Sequence, residues 1–286
     1  MQEKNDLALV IGSGSVKCAA GLGMYKVLQR EGIHVDLAVG CSGGGLVAAA
    51  IALGYTAEDI ESLMLKLWTH EMVSKFYFRS LLRIVFPKWF GFSERFGLVD
   101  DRSLMKSLGD VFGGLTFADT KIPLYLVATD LWSGEKVVLK EGLLQDAIRA
   151  SIASPIVFRP WPVDGRLLMD GAMSDPLPVD VAIREGAEVI LAMGFESPYH
   201  PRVPSLLSLI LQMTSVWNNN LLRASFSFCN LVHHAEIIPI VPHFQKRIDF
   251  ADTHLIPYII EEGERATEPH VEYLKKLLAA EQQIPR

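Results

Sequence analysis

At 286 residues with half of its positions apolar, the chain is long enough to bury a substantial core, and it shows no internal repeat, low-complexity tract or Gly/Ser-rich linker. Its 33 acidic against 27 basic side chains leave a formal charge of -6, which argues against a nucleic-acid partner. The three cysteines, Cys18, Cys41 and Cys229, form no metal or redox spacing and suit a reducing compartment, so a cytoplasmic protein without metal or other cofactor is expected.

The first six residues are charged or polar and precede an apolar run too short for a secretion signal. Leu7 to Ile11 reads as a strand, followed by the glycine-rich turn Gly12-Ser13-Gly14-Ser15-Val16-Lys17 and a helix from about Lys17 to Arg30. Backbone amides exposed in such a loop form a cradle for an oxyanion or a phosphate. A dinucleotide fingerprint fits poorly, because Lys17 stands where the third glycine belongs and no clear acidic strand end follows. A phosphate-binding P-loop is excluded by the missing Gly-Lys-Ser/Thr ending.

Leu37-Ala38-Val39 reads as a buried strand end, and Leu46 to Leu53 as a helix stopped by Gly54. Between them lies Gly40-Cys41-Ser42-Gly43-Gly44, a Gly-x-Ser-x-Gly sequence. A serine on a tight strand-to-helix turn projects its hydroxyl at the sheet end, and Gly40 and Gly44 remove the clashes such a turn would cause. Ser42 is therefore the candidate nucleophile, with Cys41 a lesser rival, and the following helix points its positive end toward an anion forming there.

Trp68 to Leu98 interleaves aromatic and aliphatic residues with Lys75, Arg79, Arg83, Lys88 and Arg95, a pattern that suits a lid, a membrane-contact helix or core packing. Farther on, Asp164-Gly165 predicts a hairpin turn, which leaves Asp170-Gly171 at the far end of the returning strand. A carboxylate there, before a helix at Pro178 to Glu185, is placed to act as the base for Ser42. Val203 to Leu222 carries no formal charge but is interrupted by serines and asparagines; it predicts an amphipathic helix that covers an acyl cleft, meets another protein or packs on the core. A Ser-His-Asp triad could be drawn from Ser42, Asp170 and His243 or His254, but the serine elbow comes too early in the sheet for that arrangement. His233 and His234 are adjacent and cannot readily share a metal.

Taken in order, Gly12 to Lys17, Gly40-Cys41-Ser42-Gly43-Gly44, Ala150-Ser151-Ile152-Ala153-Ser154-Pro155 with Phe158 and Pro160, and Asp170-Gly171-Ala172 make the chain resemble the bacterial patatin-like phospholipases. The resemblance continues weakly through Ala235 to Pro239 and Ile259 to Ala266, so it covers nearly the whole sequence. It implies a serine-aspartate dyad without histidine, Ser42 with Asp170, hydrolysing acyl esters of phospholipids or lysophospholipids; peripheral contact at the inner face of a membrane is expected from the Trp68 to Leu98 pattern. It further implies an oxyanion loop at Gly12, Ser13, Gly14 and Ser15, with Lys17 where arginine is usual and Cys18 where glycine is usual. The expected architecture is one α/β domain over residues 1–286, a three-layer α/β/α sandwich on a mainly parallel sheet, with residues 241–286 as a C-terminal helical extension. A non-enzymatic alternative keeps that fold and binds membranes or partners through Trp68 to Leu98.

Overall fold

The computed structural model describes residues 5–67, 89, 93–197, 199, 202–229, 231, 235–249 and 252–281. Most of the aromatic and basic stretch between Trp68 and Leu98 lies outside the described residues, as do His70, His200, His233 and His234. The chain runs β1 (Asn5–Ile11), α1 (Ala19–Arg30), β2 (Leu37–Cys41), α2 (Gly43–Ala52), α3 (Ala57–Leu67), α4 (Arg102–Phe112), β3 (Leu124–Asp130), β4 (Lys136–Leu139) and α5 (Leu144–Ser151). It continues through β5 (Trp161–Val163), β6 (Arg166–Asp170), α6 (Val179–Arg184), β7 (Ala187–Met193), α7 (Leu206–Cys229), β8 (Glu236–Ile240), α8 (Ile256–Thr267) and α9 (Val271–Glu281).

The strands form one sheet in the order β5-β6-β3-β2-β1-β7-β8, with β4 also paired to β3. The five strands from β3 to β8 are parallel, and β4, β5 and β6 pair antiparallel at the β3 end. Parallel strands are covered on both faces, and the continuous apolar runs of β1, β2 and β7 follow from that. Leu7, Leu9 and Ile11 of β1 face α1 and α8, while Ala8 and Val10 face α6 and Leu222 of α7, which gives the three layers. The expected α/β/α architecture is the one observed.

One detail of the register positions the site. Leu126 and Val127 pair with both β2 and β4, and Ala128 and Thr129 pair with both β4 and β6. A strand has two edges, so β2 and β6 share one edge of β3 and meet there end to end. Cys41, the last residue of β2, lies opposite Val127, and Asp170, the last of β6, lies opposite the next residue, Ala128. The residues that follow each strand end, Ser42 and Gly171, are thereby driven together. Gly171 fits because a Cβ there would come 2.3 Å from Val127 O and 2.9 Å from Cys41 Sγ.

Helix α2 begins at Gly43, three residues ahead of the start at Leu46 that the apolar pattern predicts. Glycine is a poor helix former, but a Cβ at Gly44 would fall 2.2 Å from Ile11 O, so close approach to the end of β1 decides the residue type. Behind the site, the buried Arg149 of α5 donates to Asp101 Oδ2 (2.7 Å) and to Arg159 O (3.1 Å), pinning α4 and the approach to β5 against α5.

Candidate active site

Ser42 occupies the turn between β2 and α2 with φ 54° and ψ -127°, a left-handed conformation that side chains other than glycine adopt at a cost. Its amide donates to Ser151 Oγ at 2.8 Å, and that hydroxyl in turn donates to Val127 O at 2.7 Å. The backbone of the elbow is thus tied to β3 next to the residue that pairs with Asp170. Ser151 was visible in the sequence only as one member of the Ala150 to Pro155 motif; its burial on the last turn of α5 is what turns it toward Ser42.

Ser42 Oγ donates to Asp170 Oδ2 at 2.9 Å. The other carboxylate oxygen, Oδ1, accepts the Ala172 amide at 3.0 Å, and Thr129 Oγ1 donates to Asp170 O at 3.0 Å. Both side chains are nearly enclosed, Ser42 being 7% and Asp170 6% exposed. Burial pushes the Asp170 carboxyl up to about 6, against the opposing hydrogen bonds from Ala172 and Ser42. A carboxyl so placed is ionised at neutral pH yet more basic than a free aspartate, which suits it to take a proton.

The first glycine turn splits into two functions. The Gly12 amide donates to Met193 O (2.9 Å) and the Ser13 amide to Pro176 O (2.8 Å), so both are committed to holding the loop. Gly14 and Ser15 amides carry no backbone acceptor among the described residues, and Ser15 has φ 53°. Cys18 donates its thiol to Gly12 O at 3.3 Å and lies against the Gly14 amide, so the side chain that replaces the usual glycine ties the loop's two glycines together. Lys17 is buried and donates to Glu196 O; burial pulls its ammonium down to about 8, against the opposing charges of Cys18, Asp249 and Glu196.

His243 and His254 are exposed, and neither is hydrogen-bonded to Ser42 or Asp170. Cys41 is buried, and burial first, then the charges of Asp170 and Asp175, push its thiol far up, away from the reactive thiolate. Among the described residues no three His, Cys, Asp or Glu side chains gather as a metal site.

Residues 9–183 match the patatin-like phospholipase family. The chain is 29% identical over 223 residues to an uncharacterized NTE family protein of Mycobacterium bovis, covering 77% of this chain and 56% of that one. It is 32% identical over 197 residues to the neuropathy target esterase sws of Drosophila melanogaster, covering 68% of this chain and 13% of that protein. The chain therefore spans only part of the length of either relative. Among solved structures it is similar to VipD from Legionella pneumophila, with TM-score 0.49 and 15% identity, over 97% of this chain and 67% of that one. The matched segment runs from β1 through α6 and holds the glycine turn, the serine elbow and the Asp170 turn in one frame, and on that match the chain belongs to the patatin-like phospholipase family, a family of lipid hydrolases.

Proposed function

We propose that the protein hydrolyses acyl esters of phospholipids or lysophospholipids, with Ser42 as nucleophile and Asp170 as the proton acceptor. The observation that carries this reading is the 2.9 Å hydrogen bond from Ser42 Oγ to Asp170 Oδ2 in a nearly closed site. A serine hydroxyl is far too weak an acid to ionise beside a free carboxylate, so proton transfer accompanies attack.

Ser42 Oγ bonds to the acyl carbon while its proton passes to Asp170, and the carbonyl electrons move onto oxygen. The resulting oxyanion is met by the glycine turn through the Ser15 amide and by the positive end of α2, with Gly12, Ser13, Gly14, Lys17 and Cys18 holding the loop in place. Collapse breaks the ester C–O bond, and the departing alcohol takes the proton from Asp170. Water then gives a proton to the same carboxylate as it attacks the acyl-Ser42, releasing the fatty acid and restoring both side chains. Gly40 and Gly44 allow the elbow its shape, and Gly171 allows the Asp170 turn to meet it. The reading has the chain working in the cytoplasm, peripherally at a membrane.

Labelling with a fluorophosphonate, followed by mass spectrometry of the adduct, tests the assignment. The adduct is expected on Ser42; Ser42→Ala abolishes it, Asp170→Asn suppresses it, and His243→Ala and His254→Ala keep it. An adduct on Cys41, or a folded histidine variant that no longer labels, overturns the dyad. A folded parent that takes no label but binds vesicles supports the scaffold alternative instead.

A further inference from the structure

Helix α7 buries Leu222 against the sheet but also carries apolar side chains on its outward side. Ser215 and Asn219 are buried, while Leu206, Leu209, Met213, Val216 and Trp217 are exposed. At 100° per residue those five apolar side chains fall within an arc of about 100°, an outward stripe, with the exposed Leu211 lying outside it. The inward polar groups are not accidental: Asn219 Oδ1 accepts the Ser197 amide at 2.7 Å and its Nδ2 donates to Ser197 O at 3.0 Å. Packing against the core, through Leu222 and these hydrogen bonds, accounts for the inward side of the helix and leaves the outward apolar stripe unexplained.

We infer that this outward face of α7 is the surface by which the protein lies on a phospholipid bilayer, with the helix flat in the interface beside the site. The inference rests on the lipid-ester reading above for its purpose.

Three observations favour a bilayer over a protein partner. Residues 203–222 carry no formal charge; the next charge on the helix, Arg223, lies past the end of the stripe, paired with Glu196 at 3.6 Å, where a long cationic side chain suits the headgroup level. Trp217 Nε1 donates to Met173 O at 3.2 Å, on the turn that follows Asp170, so the stripe adjoins the place where an acyl ester would enter. The exposed Trp132 and Val241 follow β3 and β8, and these strands run parallel to β2, so both place apolar surface at the sheet end that holds Ser42. None of the described helices is long and apolar enough to cross a membrane. The stripe carries no charge, so attachment through it comes from apolar insertion and not from attraction to anionic headgroups.

Cosedimentation of the full chain with phosphatidylcholine vesicles, at low and high salt, tests this. The parent is expected to bind at both salt concentrations, and Leu209→Glu/Met213→Glu to lose about tenfold or more in partition while keeping its unfolding temperature. Leu206→Glu, at a position 68% exposed, is expected to weaken binding in the same direction. Binding that survives both variants, or that vanishes in high salt for the parent, overturns the inference. So does a parent that is dimeric in solution beside a monomeric variant, since the stripe then belongs to a second copy. Hydrolysis of a short-chain monomeric ester, read on the same samples, separates the two proposals. An inactive parent whose vesicle binding is lost in the variant keeps the docking face and removes the esterase; an active parent that ignores vesicles does the reverse.

Discussion

Asp170 is enclosed with, among the described residues, only the Ala172 amide and the Ser42 hydroxyl to satisfy its carboxylate, too little to offset its loss of water. Its carboxyl titrates near 6, so the pH profile of kcat/KM should fall about tenfold per unit on the acid side of 6. The same shift works against stability. A carboxyl raised from 3.8 to about 6 on folding contributes stability below 3.8 that is lost as pH rises through 6, an amount of about 3 kcal/mol by pH 7. Asp170→Asn keeps a carbonyl oxygen for the Ala172 amide and turns an NH2 donor toward Ser42 Oγ, which can accept it, without the charge, so it is expected to be inactive yet more stable than the parent at pH 7 by up to that amount. Urea unfolding at pH 7 and pH 4 checks this, and the gain must disappear at the lower pH. Ser151 makes the opposite case, since its hydroxyl serves the fold and the elbow together. Ser151→Ala leaves the Ser42 amide and Val127 O without that partner, at a cost of about 1 to 3 kcal/mol. With the elbow no longer held, kcat is expected to drop roughly ten- to hundredfold while KM changes little. A Ser151→Ala protein that loses stability at unchanged kcat would restrict the hydroxyl to packing.

Helices α1 and α8 cross with backbones nearly touching, because a Cβ at Gly263 would stand 2.1 Å from Ala20 O and one at Gly23 would stand 2.1 Å from Ile260 O. Gly263→Ala must therefore push the helices apart, and a loss of at least about 2 kcal/mol is expected in chemical denaturation. Nothing local in the sequence marks this pair, since glycine inside a helix reads as weakness until the partner is known. Local chemistry was enough elsewhere. The apolar runs gave β1 and β2, and Asp164-Gly165 forms its hairpin turn with φ 48° and 77°. Ser42 and Asp170 could each be picked out from the glycines beside them, yet their 2.9 Å meeting depends on β2 and β6 sharing one edge of β3. That is a matter of register between distant segments, as is the use of the Gly12 and Ser13 amides by Met193 and Pro176. For α7 the period was legible in Leu206, Ile210, Met213 and Trp217, but not which side would face the protein, because apolar residues lie on both sides and the inward one is set by the Ser197 backbone together with Leu222.

Across the molecule, the sheet is assembled from the middle outward, with β1 pairing β2 from the next turn of chain and β7 from far along it. The face of β1 that carries Leu7, Leu9 and Ile11 is closed by α1, and α1 is closed in turn by α8. The C-terminal helices therefore form part of the layer that covers the central strands. Ile256, Ile259, Ile260 and Leu274 are all at most 3% exposed in that layer. Each such side chain contributes about 1.5 to 3 kcal/mol on burial, and four of them rival the whole net stability of a domain, about 5 to 15 kcal/mol. Removing residues 252–286 should therefore not yield a trimmed but active protein: it also uncovers Ala20, Gly23 and Met24 on α1. The expected product is aggregated or lacks a cooperative thermal transition by circular dichroism. A soluble truncated chain that melts cooperatively and still takes the fluorophosphonate label would instead make the segment a separable extension, with the sheet and its site stable without α8.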